Sequence, residues 1–178
     1  MRHLEYTTLF RTLAERHLQV QHRPDQVRFV RLILSSDPLQ KVMDFEEFYG
    51  GLKHKIDLRD GSACLVLENY QADYSDNDGD FTGKEHHGAF LILRPVKAGD
   101  YDQRDAVIDA CEAIGEDIMA AAIAQLRARE RPVRISPGDV LAEAVGPVGS
   151  HFYGARFNFS FRSPATPELC YDPTKFSS

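Results

Sequence analysis

Residues 139–162, DVLAEAVGPVGSHFYGARFNFSFR, read as two strands around a Gly146-Pro147-Val148-Gly149 connection. In the second strand Tyr153, Ala155, Phe157, Phe159 and Phe161 alternate with Gly154, Arg156, Asn158, Ser160 and Arg162. A period of two puts the phenylalanines on one face and the arginines on the other. Such a strand has a core side and a wet side. The pattern therefore predicts a mostly antiparallel sheet, covered on one face.

Working outward, residues 103–129 carry Val107, Cys111, Ile114, Ile118, Ala122 and Leu126 at three-and-four spacing. This predicts a long amphipathic helix whose stripe rests on Phe157, Phe159 and Phe161. Asp105, Asp109, Glu112 and Glu116 form an acidic row on another side, and Arg127, Arg129 and Arg131 gather at the end. Both placements suit the helix dipole. Gly115 falls inside the helix and marks either a close approach to the sheet or a tolerated glycine.

Residues 62–70 and 88–96 lack alternation and are expected as strands buried on both faces. The polar stretch between them, residues 71–87, is expected as the loop of a long hairpin. Residues 3–21 and a segment starting at Asp37-Pro38 are expected as helices. Asp37 would cap the second, and Gly50-Gly51 would stop it. Lys53-His54-Lys55 is read as a solvated connector. Residues 27–34 are rich enough in β-branched and apolar side chains for a short strand. The expected fold is α+β: one layer of sheet, in the order β-β-α-β-β after N-terminal helices, packed on helices. Residues 1–163 form one domain and residues 164–178 an extended arm.

The composition narrows the function. Of 178 residues, 43% are hydrophobic and 27% charged, as in ordinary globular chains. The net charge of −6 gives no general attraction for polyanions, so nucleic acid is not an expected partner. No apolar run is as long as a membrane span, and the start lacks the apolar core of a signal peptide. Cys64, Cys111 and Cys170 show neither a C-x-x-C spacing nor an even count, which fits reduced thiols in a cytoplasmic setting. No nucleophile elbow or HExxH pair is present, so catalytic residues and cofactors are not called for.

Residues 73–87, DYSDNDGDFTGKEHH, offer Asp76, Asp78, Asp80, Glu85, His86 and His87 as an alternative metal set. Carboxylates would favour calcium. The EF-hand register fails at its first ligand, which would be Tyr74. A small-molecule pocket between helix and sheet is a further alternative. The acidic helix row, the arginine face at Arg156 and Arg162, and the arm suit head-to-tail contact between copies.

The segments GAFLIL and GDY, AIGEDIM in the long helix, VGPV with FYGARFNFSF, and CYDP near the end supply a further lead. Together, over roughly residues 45–175, they resemble a group of small structural proteins encoded among phage-like or prophage-like genes of Bacteroidetes-type bacteria. The resemblance implies a tail-completion, tail-terminator or head–tail connector subunit. Such a subunit would be a non-enzymatic α/β protein that assembles into rings with itself and with other particle proteins. It would be made in the cytoplasm and then incorporated into the particle.

Overall fold

A computed structural model of the chain describes residues 1–35, 37–56, 58, 61–97, 99–129, 133–149 and 151–177. The fold is α+β: among the described residues there are three α-helices and a mixed six-stranded sheet. Its elements run α1 (His3–Arg16), β1 (Phe29–Leu32), α2 (Pro38–Lys55), β2 (Cys64–Glu68), β3 (Gln71–Asp76), β4 (Thr82–Pro95), α3 (Tyr101–Arg127), β5 (Val140–Val148) and β6 (Phe152–Pro164). The spatial order is β1-β2-β4-β6-β5, with β3 added beside β4. Among the described strands only β1 and β2 pair in parallel, because the chain crosses over through α2 between them.

The β5–β6 hairpin holds the predicted alternation. Phe157, Phe159 and Phe161 are buried with Cys111, Ile114, Ile118, Met119, Ala122 and Leu126 of α3. Tyr6, Phe10 and Leu13 of α1 complete this layer. Gly115 is the point of closest approach: a Cβ built there would lie 2.0 Å from Cε2 of Phe157. The Asp100 carboxylate starts α3 by accepting from the Gln103 N–H at 2.9 Å.

The opposite face is also covered, at one end. Cys64, Val66, Leu91 and Leu93 are buried there with Leu32, Leu34 and Phe152, and Phe45 and Phe48 of α2 pack on them. This explains why 64–68 and 89–93 lack alternation. Cys64 and Cys111 are both buried, whereas Cys170 is exposed.

Three expectations need correction. Helix α1 stops at Arg16 rather than near residue 21. The His22 N–H returns to the Ala14 carbonyl at 3.1 Å, and Gln21 takes a positive φ of 49°. Helix α2 starts as expected, with the Asp37 carboxylate accepting from the Leu39 and Gln40 N–H groups. It then runs through Gly50 and Gly51 to Lys55. A glycine stops a helix by taking positive φ, and neither of these does. The side chains of Lys53, His54 and Lys55 lie outside the described residues, as does all of Arg131.

The third correction concerns residues 71–87, which are mostly strand. β3 pairs with the first half of β4 from Gln71↔His87 to Asp76↔Thr82. Asn69 separates β2 from β3 and ties down the chain after β1: its amide bonds both the N–H and the C=O of Leu34. Only residues 77–81 form a turn, closed by the side-chain Oδ1 of Asn77 accepting from the Gly79 and Phe81 N–H groups. No helix among the described residues is long and apolar enough to cross a membrane.

Candidate functional site

The sheet face away from α1 and α3 is apolar where α2 covers it and polar beyond. Its polar half carries Glu68 of β2, Glu85 and His87 of β4, Arg156, Asn158 and Arg162 of β6, and Glu143 of β5. The antiparallel register sets Glu143 opposite Arg156 and Glu85 opposite Arg162.

Arg156 is the centre of this face. Its Nε and Nη2 donate to the two carboxylate oxygens of Glu68, each at 2.9 Å, in a bidentate fork. Nη1 donates to Glu143 Oε1 at 3.0 Å, and Asn158 donates to that same oxygen at 3.1 Å. The Glu68 side chain is 6% exposed and that of Arg156 24%. Arg156 is thus committed inside the molecule rather than presented to a partner. The bonds from Arg156 and Asn158 hold the Glu143 carboxyl below the usual carboxylate range, and the fork to Glu68 raises the Arg156 guanidinium.

A groove of about 620 Å³ opens over this network. Ala89 and Asn158 form its floor; Ser35 and Lys41 at the start of α2 wall one side, and Val140 and Leu141 of β5 the other. A second hollow of about 380 Å³ lies at the far end of the sheet, lined by Phe81, Pro164, Glu85, Arg134 and Arg162. Arg134 and Arg162 face each other across a short antiparallel bridge with reciprocal backbone bonds of 2.8 and 2.9 Å. Arg162 pairs with Glu85 at 2.9 Å and keeps 69% of its side chain exposed. Arg134 is exposed and makes no ion pair with any described residue.

The acidic row lies elsewhere, on the outer side of α3. Asp105, Asp109 and Glu116 are exposed and Glu112 is half-buried. Asp105 pairs with Arg104 at 2.8 Å, and no described cation pairs with the other three. Of the expected basic cluster, Arg127 donates to the Ile135 carbonyl and Arg129 lies 4.0 Å from Glu5.

The alternative metal set is split between the two faces. His86 turns into the core, fully buried and stacked on Phe161 at 4.4 Å, with Nε2 3.2 Å from the Ser163 hydroxyl. Burial pushes its pKa down to about 3, with the neighbouring Lys84 charge acting in the same direction. His87 and Glu85 project from the other face, toward Asp73 at 3.3 Å and Arg162 respectively. Asp76, Asp78 and Asp80 sit at the turn, where Asp76 accepts from the Asp78 N–H. Among the described residues no group of three His, Cys, Asp or Glu side chains could hold a metal ion.

Sequence reasoning missed Glu68, Glu143 and Asn158 as partners of Arg156. The signal for Glu143 was in the hairpin: a turn just after Gly149 sets it opposite Arg156. Nothing in the sequence pointed to Glu68, which comes from a distant strand. It missed Arg134 as well. No family model matches the chain, and a comparison with curated proteins finds no match.

Proposed function

We propose that this protein is a non-enzymatic structural subunit of a phage-like tail or related particle, of the completion, terminator or connector kind, that works by assembling with copies of itself. The tail assignment rests on the resemblance of its hairpin, long-helix and C-terminal segments to such proteins. The observation that carries self-assembly is the free edge of β5. Residues 140–145 form the outer strand of the sheet, and Leu141 is 63% exposed. Edge strands of monomeric proteins are usually guarded by solvated charge, proline or a bulge. Here the bulge and Pro147 come only after Val145, and the single charge, Glu143, is spent on Arg156. The arm beyond Ala165 adds exposed Leu169, Tyr171 and Phe176. The test is mass in solution: a fixed multiple of the chain mass is expected, and a monomer at every concentration contradicts the reading.

The groove over Arg156 favours a second reading, a small-molecule binding domain, because its size lies in the ordinary range for ligand pockets. Its lining is polar and the charges of Arg156 and Glu68 are already paired with each other, which suits a neutral, hydroxyl-rich ligand. A panel of mono- and disaccharides at millimolar concentration should then raise the melting temperature. No shift with any of them removes this reading. The metal reading has less support, because the buried ring of His86 lies on the opposite side of the sheet from His87 and Glu85.

A further inference from the structure

We infer that the Arg134–Arg162 pole of one copy docks on the acidic side of α3 of the next, so that the chain associates head to tail. The inference rests on the assembly reading above and adds the partner surfaces and their polarity.

Arg134 and Arg162 share one face as directly opposed residues of an antiparallel pair. Like charges in that position repel. Glu85 answers Arg162, and no described residue answers Arg134. The hollow beside them, with Phe81 48% exposed, supplies apolar surface for a packed contact. The pole therefore carries uncompensated positive charge beside an unfilled concavity. That combination fits an acidic protein surface.

The same molecule offers one. Asp109, Glu112 and Glu116 lie along one side of α3 with no cation among the described residues paired to them. They cannot reach the pole of their own chain. The first half of α3 lies over the start of β6, since a Cβ on Gly154 would meet the Cys111 sulfur at 3.2 Å. Arg162 is eight residues further along that strand, a separation of roughly 26 Å at about 3.3 Å per residue. The pole also lies on the opposite face of the sheet. The two charged surfaces thus sit apart along the strand and on opposite faces of the sheet, and a second copy brings them together. Two different surfaces in contact make a heterologous interface, which propagates until it closes on itself or forms a filament.

The position of the pole supports this docking. Arg134 lies on the same side of β6 as β5, just beyond the point where the Val140↔Phe159 pairing begins. A helix seated at the pole therefore runs beside the unguarded strand and covers it, one of the ways sheet edges are protected. Leu141 of β5, 63% exposed and on the same face as the pole, offers apolar surface to it.

Charge reversal with mixing tests the contact. Arg134→Glu, and separately the pair Asp109→Lys with Glu116→Lys, change exposed side chains that make no side-chain hydrogen bond or ion pair with the described residues. Each variant alone is expected to weaken self-association about tenfold or more, measured by sedimentation velocity in 50 mM salt. An equimolar mixture regains the wild-type mass, because every contact in an alternating assembly is again complementary. Raising salt to 500 mM dissociates the wild type in the same way. An assembling wild type whose variants assemble equally well, or whose mixture stays dissociated, overturns this contact and leaves the assembly reading standing. A wild type that never assembles overturns both.

Discussion

Arg156 shows how a residue on the wet side of a strand can still be structural. Its charge is neutralised by Glu68 and Glu143, and Glu68 is almost fully buried. Arg156→Ala leaves that carboxylate without a partner, and removing one member of a buried pair costs about 3 kcal/mol or more. Urea unfolding should show this loss as a lower midpoint with an unchanged slope. A midpoint within experimental error of the wild type would mean that the fork holds nothing. His86 makes a different prediction, because it is neutral in the folded protein down to about pH 3 and titrates near 6.5 when unfolded. As pH falls below 6.5 the unfolded chain binds a proton that the native chain does not. Stability therefore declines from about pH 6.5 toward pH 3, by at most about 1.4 kcal/mol per pH unit from this one group. His86→Gln should flatten the slope of stability between pH 6.5 and 4.5. An unchanged slope would place the acid sensitivity elsewhere.

Among the elements, α3 and β6 are fixed to each other by one glycine. Alanine favours a helix interior by about 1 kcal/mol, which alone would make Gly115→Ala stabilising. The new methyl would instead strike the ring of Phe157, and overpacking costs about 1–3 kcal/mol. We expect Gly115→Ala to lower the melting temperature and Gly115→Ala with Phe157→Leu to recover part of the loss. A stabilised single variant would mean that the helix stands further from the sheet. This contact was legible in the sequence, because period two in β6 and period 3.6 in α3 gave both apolar faces. The buried strands were legible too, from their lack of alternation. β3 was not legible, since a strand exposed along most of its length carries the composition of a loop, as Asp73, Ser75 and Asp76 do. Nor was the passage of α2 through Gly50-Gly51, because glycine permits a stop without imposing one. The candidate site was half legible. Alternation found Arg156 and Arg162 but could not say that Glu68, which arrives from β2, would occupy one and leave the other exposed.

At the scale of the whole molecule, several surfaces are left exposed among the described residues: the β5 edge, the Arg134–Arg162 pole, the acidic side of α3 and the apolar side chains of the arm. A chain of net charge −6 repels its own copies at long range, so association needs local complementarity strong enough to overcome that repulsion. The opposed pole and helix provide it, and the unguarded edge gives the contact backbone groups to cover. Leu141→Lys would place a solvated charge on that edge without disturbing the core and serves as the matched control. The most direct measurement is light scattering across a wide range of concentrations, on the wild type and on Leu141→Lys. The account predicts that the wild-type mass climbs from 20.1 kDa to a plateau at a whole multiple of that value, while the variant lags behind. A mass of 20.1 kDa at every concentration, for both proteins, would contradict it.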